Sequence, residues 1–245
     1  MHTAIPNLLK EAGVTTGIAG ISSMATRQVL AELAGAYRQH SGVTVAFESV
    51  GGVDAARRVQ SGEHFDVVVL ATDAIDKLIG AGRVVAGSKT DLMRSPVAIA
   101  VREGNAKPDI GSEEALRHAV LAARSLGYST GPSGVALMNL FEHWGIADTV
   151  AERIVQAPPG VPVGQLVAEG QVELGFQQLS ELLPLPGIEV LGTMPPGTEI
   201  VTTFSAGLCV ASTQPETVHA LLAFMSSPAA DLPKRRHAMQ PATSL

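Results

Sequence analysis

Apolar residues recur at Ala25, Val29, Leu33 and Tyr37, the spacing of one helical face, and Gly42 ends the run. The segment "VTVAFESV" (43–50) then alternates like a strand, and "GGVDAARRVQSG" supplies a turn and a short helix. "FDVVVLA" (65–71) is unbroken and β-branched, which predicts a parallel strand buried on both faces, followed by a helix over 73–80. "SPVAIAVRE" (95–103) reads as another strand, and Ser112 is placed to cap a helix that carries Leu116, Val120 and Ala123 on one side.

Beyond "LGYST" (126–130), the turn "GPSG" opens a helix with Leu137, Phe141 and Trp144 in register. "RIVQAP", "VGQLVAEGQ" and "VELGFQQ" repeat strand, helix and strand. The Pro-rich stretch 184–198 leads to a long apolar strand near 200–211 and a helix near 215–226. The tail "PKRRHAMQPATSL" reads as a basic, solvated terminus. This alternation defines an α/β protein built on mixed, mostly parallel sheets flanked by helices.

With 245 residues, the chain is long enough for one large or two modest domains. Its 46% hydrophobic and 16% charged content fits a water-soluble globular protein, and a net charge of −6 without runs argues against nucleic acid as a partner. The single Cys209 sits in an apolar run and reads as a buried, inert thiol. No window reaches the length of a membrane-spanning helix. The start "MHTAIPNLLKEAGVTTGIAG" lacks the pattern of an export leader, which predicts a cytoplasmic location for the chain as written and a periplasmic one if a leader had been removed.

Chemistry concentrates where strands run into helices, because helix N-termini present unpaired N–H groups and partial positive charge. Three such junctions carry small or hydroxylated residues: Ser22-Ser23, Val50-Gly51-Gly52, and Ser129-Thr130-Gly131-Pro132-Ser133-Gly134. Each alone is an ordinary cap or turn, whereas together they could cradle an anion. Phosphate-binding, dinucleotide, nucleophile-elbow and zinc-protease motifs are missing, and the seven histidines show no ligand spacing, so no metal site and no cofactor is expected. Asp66, at the head of a buried strand, reads as a local cap or pairing residue, and Arg57 and Arg58 as solvated.

Four ordered segments, "GISSM", "GEHFDVVVLATDAIDKLIGAGRV", "GQVELGFQQLSELL" and "LLAFMSSPAA", resemble the molybdate-binding solute receptors of ABC transporters. The likeness runs from about residue 14 almost to the end, and "AVREG", "PSG" and "GFQQLSELLPLPG" resemble a broader subgroup of substrate-binding domain proteins. It implies a two-lobed type II periplasmic-binding fold with two hinge crossovers, lobe I being 1–92 with 200–245 and lobe II 93–199, closing on a ligand. In that family neutral donors hold the oxyanion. Ser23 or Ser22 matches its first serine, Ser133 and Gly134 fall on the loop of the second lobe, and Val161 falls on a backbone-donor position. Two positions depart from the family: its second serine falls within Val50-Gly51-Gly52, and its tyrosine is Gln178.

Loss of two hydroxyl donors weakens a tetrahedral oxyanion site, since each hydrogen bond to a charged group contributes about 1.5–3 kcal/mol. The amides of Gln177 and Gln178 donate and accept, and the glycines widen the site, which suits a planar carboxylate. Arg94 could clamp such a group, or serve in a surface ion pair or hinge. The favoured expectation is therefore a binding protein for a small di- or tricarboxylate that hands it to a permease. An alternative follows from resemblance to the isomerase that interconverts cis- and trans-aconitate; an allylic proton shift needs an acid–base group, for which Tyr128, Glu48 and the loop hydroxyls are the candidates.

Overall fold

A computed structural model describes residues 17–242; residues 1–16, on which the reading of the N-terminus rested, and 243–245 lie outside the described residues. Strand β1 (Ile18–Ser23) passes through a 3₁₀ turn (Met24–Thr26) into α1 (Arg27–Ser41), followed by β2 (Val45–Val50), α2 (Gly52–Gln60), β3 (Val67–Ala71) and α3 (Thr72–Gly80). Gly42 ends α1 in the left-handed conformation, φ 77°, as its position after the last apolar residue requires. β1 runs parallel to β2 and β3, so all three carboxyl ends lie on one edge. All five residues of β3 are buried: Val67 and Val69 face α1, while Val68 and Leu70 face α2 and α3.

The long strand β4 (Thr90–Arg102) then leaves this sheet and enters a second. Its first half pairs antiparallel with β9 (Val201–Leu208), and its second half with β7 (Leu174–Gln178) and β8 (Ile188–Thr193). The change of partner falls at Pro96-Val97, where proline offers no donor to the ladder; Val97 N–H donates to Ile200 C=O, and Met194 N–H to Val97 C=O. Between these strands lie α4 (Glu113–Ala122), β5 (Leu126–Tyr128), α5 (Pro132–His143), α6 (Ala147–Val150), β6 (Ile154–Gln156), α7 (Val163–Ala168) and α8 (Leu179–Leu182). β5 is parallel to both β6 and β7, which brings a second set of carboxyl ends to the middle of the molecule. Leu116, Val120, Leu137, Phe141 and Trp144 fill the core on this side. Ser112 caps α4 as predicted, its Oγ accepting from Ala115 N at 3.1 Å.

One element was not foreseen and one expectation fails. The Pro-rich stretch contains β8, an edge strand whose half-buried residues carry only a weak alternation. The basic tail is not a solvated end: after α9 (Pro215–Ser226) it forms α10 (Asp231–Arg236) and β10 (Gln240–Pro241), which pairs with β4. Met239 enters the core against α1 and α9, while Arg236 and His237 each reach Glu32 at 2.9 Å. Lys234 is 1% exposed despite its charge, and burial lowers its pKa.

Asp66 is a structural residue, but its partners are distant in sequence rather than local as expected. Its carboxylate accepts from Ala19 N (2.9 Å), Ser212 Oγ (2.6 Å) and Gln214 Nε2 (3.0 Å), joining β1, β3 and the turn after β9. Burial alone would raise its pKa, but these bonds overcome that cost and hold it below the usual carboxylate range. Beside it Cys209 is buried, and burial followed by the Asp66 charge pushes its thiol up to about 12. Asp66→Ala leaves a buried amide unpaired and should cost about 3 kcal/mol, lowering Tm by roughly 6–12 °C in thermal unfolding. An unchanged Tm would remove Asp66 from this role.

Candidate functional site

The carboxyl ends of β1, β2 and β3 face those of β5 and β7 across the crossing strands, and a cavity of about 100 Å³ lies between them. It exceeds the ~10–15 Å³ a single water needs. Six chain segments enter helical turns at its wall, with Ser23, Gly51, Ala71, Gly131, Pro162 and Gln178 at the N-cap positions. None of these residues caps its own turn through a side chain, in contrast to Ser112 on α4. The first turns of α2, α3 and α5, helices of nine, nine and twelve residues, therefore aim the positive ends of their dipoles at one space, with unpaired N–H groups on α2 and α3 and that of Ser133 on α5, where Pro132 has none and Gly134 N–H donates to Gly131 C=O.

Side chains add polar atoms that are buried and unsatisfied. Ser23 is 7% exposed, and its Oγ has no hydrogen-bond partner within the protein. Gln178 is 4% exposed; its Nε2 donates to Thr202 Oγ1 at 2.7 Å while its Oε1 faces no donor. Rotating that amide by 180° would keep the link, with the Thr202 hydroxyl donating, and would turn the N–H₂ the other way. Ser129 and Ser133 place their hydroxyls 3.4 Å apart at the start of α5. Buried polar atoms without partners are uncommon, because each forfeits its hydration.

The cavity gathers Ser23, Gly51, Gly52, Ser129, Thr130, Ser133, Val161, Gln177 and Gln178 from the residues singled out in the sequence. Others stand elsewhere. Ser22 points to the opposite side of β1, where its Oγ meets Ser49 Oγ at 2.8 Å. Arg94 lies opposite Thr203 on β4 and β9, one residue out of step with the cavity-lining Thr202, so its side chain leaves by the other face. Gly134 sits behind the wall: a Cβ there would fall 2.0 Å from the Ser129 carbonyl oxygen, so only glycine lets α5 start so close to that loop. Tyr128 also lies behind the lining, packed against the core of that half. Glu48 is on the outer surface, where Arg58 Nη2 donates to it at 2.9 Å and keeps its carboxyl ionised. Arg58 also bonds Glu63, and Arg57 pairs with Asp54.

Glu181 and Thr202 are the polar lining residues not anticipated. Glu181 follows Gln178 by three residues, where β7 runs into α8 without a loop; that abrupt junction was the available signal. It is the one ionisable side chain among the described residues lining the cavity. Burial pushes its carboxyl up to about 7, against a hydrogen bond from the Gln177 side chain that favours the charged form. Gln177 Oε1 in turn accepts from Gly164 N at 3.2 Å, so the amide links the start of α7 to Glu181. Ser180 Oγ donates to Ala25 C=O at 2.9 Å, fastening α8 to the 3₁₀ turn across the cavity.

The fold and site together define a periplasmic-binding-type protein with an interlobe pocket of neutral donors. The chain belongs to the bacterial extracellular solute-binding protein family, whose model matches residues 18–239. It is 36% identical over 225 residues to the aconitate isomerase of a Pseudomonas species, covering 90% of this chain and 86% of that protein. The periplasmic molybdate-binding protein of Azotobacter vinelandii shares the fold at a TM-score of 0.75 with 20% identity, over 91% of this chain and 98% of that one. The sulfate-binding protein of Mycobacterium tuberculosis does so at 0.76 with 18% identity, over 93% and 88%.

Glu181 also predicts a pH dependence. A carboxyl whose pKa rises on folding, from 4.5 to about 7, makes no difference below pH 4.5, destabilises progressively as pH rises between these values, and exacts its full cost above 7. Glu181→Gln should therefore match the parent in Tm near pH 4 and be more stable near pH 8 by ~1–3 kcal/mol, a Tm roughly 2–12 °C higher. Equal Tm values at pH 8 would show that the carboxyl is not strained by burial.

Proposed function

We propose that this protein binds a small organic di- or tricarboxylate in the cavity between its halves, lobe I comprising 1–92 with 200–245 and lobe II 93–199. The observation that carries this reading is the convergence of uncapped helix starts on the buried, unpartnered hydroxyl of Ser23. Among the described lining residues there is no cation, so the anion's charge is met by amide and hydroxyl donors alone. Gly51 and Gly52 leave room where a hydroxyl would grip a tetrahedral oxyanion, and Gln178 presents a planar amide suited to a planar carboxylate. In a transport role the ligand passes to an ABC-type permease. No helix among the described residues is long and apolar enough to cross a membrane.

A second reading, isomerisation of an unsaturated tricarboxylate of the aconitate type, is favoured by the 36% identical relative and by an ionisable Glu181 inside the cavity. Both readings share the ligand class and differ in whether the bound molecule reacts.

Citrate, tricarballylate and trans-aconitate should each raise Tm more than molybdate or tungstate does. Saturation to 100 times Kd adds ~2.7 kcal/mol, or roughly 5–11 °C. A shift with molybdate or tungstate alone would overturn the carboxylate reading. Ser23→Ala, which deletes one donor to a charged group, should weaken binding about 10- to 100-fold by calorimetry.

A further inference from the structure

We infer that Glu181 is the proton carrier of an allylic isomerisation in this cavity, its carboxylate taking a proton from one carbon of the bound acid and returning it to another. The assignment rests on the isomerase reading and identifies the group that performs it. Three features of the site point to Glu181. It is the one ionisable side chain among the described lining residues, and the remaining polar groups there are hydroxyls, amides and backbone N–H groups that hold charge without exchanging a proton near neutrality. It stands on α8 directly after Gln178, beside the amides that suit a carboxylate, with the Gln177 side chain bonded both to it and to Gly164 N–H. Unlike Glu48, it meets no arginine among the described residues that would hold it ionised; burial makes its proton easier to keep for the return step.

The step balances without any other reactant. In trans-aconitate the methylene is allylic, next to a carboxylate and joined to the carbon–carbon double bond. Glu181 takes one methylene proton; the electron pair of that C–H bond becomes the new double bond, and the old double bond's electrons move onto the far carbon and its carboxylate. The uncapped first turns of α2 and α5 present N–H donors to that developing charge. Glu181, now neutral, delivers its proton to the far carbon and regains its charge. The double bond has moved by one position, and its new geometry is cis or trans according to how the chain lies when the proton leaves.

The test incubates the full chain and Glu181→Gln with trans-aconitate in deuterated water, follows both isomers and carbon-bound deuterium by NMR, and measures trans-aconitate binding by calorimetry. The parent should interconvert the isomers and incorporate deuterium. Glu181→Gln, which keeps the side chain's shape and its bond to Gln177, should bind within about threefold of the parent while conversion and exchange fall at least 100-fold. Glu181→Asp, one methylene shorter, should retain a measurable fraction. Conversion by Glu181→Gln within tenfold of the parent would overturn the assignment and leave the isomerase reading standing. A parent that binds trans-aconitate yet neither converts nor exchanges it would remove the isomerase reading and the assignment with it, leaving the carboxylate receptor.

Discussion

The helices α2 and α3 meet the cavity with their first N–H groups unspent, and the rest of the architecture serves that condition. A helix start left without a side-chain cap forgoes roughly 1 kcal/mol of local stability where alanine stands at the cap, as at Ala71, and about a few tenths where glycine does, as at Gly51 and Gly131. Here the starts of α2, α3 and α5 forgo it together, around a hydroxyl on Ser23 that is buried and also unpartnered. Such a cluster is stable only when the surrounding strands fix it, and its vacant donors make an anion the complementary guest.

The strands supply that rigidity. β3, buried along its whole length, holds the carboxyl end that becomes the N-cap of α3, and Asp66 at its head locks β1 and the turn after β9 into register. β4 divides its ladder between two sheets, so one strand sets the spacing of both walls, with the change of partner at Pro96-Val97. Ser180 and Gln178 then bridge the walls through Ala25 and Thr202.

Within this neutral pocket Glu181 is the exception, and burial gives it a pKa at which it exists in both protonation states near neutrality. A receptor gains little from a carboxyl facing its anionic ligand, since the charged form repels it. A proton-transfer site needs that group, and the cost of desolvating it is what brings its pKa into a useful range.

Local chemistry made most of the secondary structure legible in the sequence. The 3.6-residue spacing from Ala25 to Tyr37, the unbroken run ending at Ala71, Ser112 as a cap and Gly42 as a stop each depend on neighbours only a few residues away. Elements stabilised mainly by distant partners were illegible. β8 is half-buried and ordered by β4, while α10 and β10 hide Lys234 and Met239 in a segment whose charges suggested solvent. For the site, adjacency in sequence put Ser22 beside Ser23, Tyr128 beside Ser129 and Gly134 beside Ser133, but a strand sends consecutive side chains to opposite faces and a helix start turns them by about 100° each. Ser23, Ser129 and Ser133 therefore line the cavity while their neighbours face away. By itself the sequence determined that helix starts rich in small and hydroxyl residues would meet beyond the sheet. Only the tertiary structure decided which atoms remained unpaired there, and that a carboxyl three residues past β7 would be desolvated among them, because pairing and burial are set by partners that the chain brings from far away.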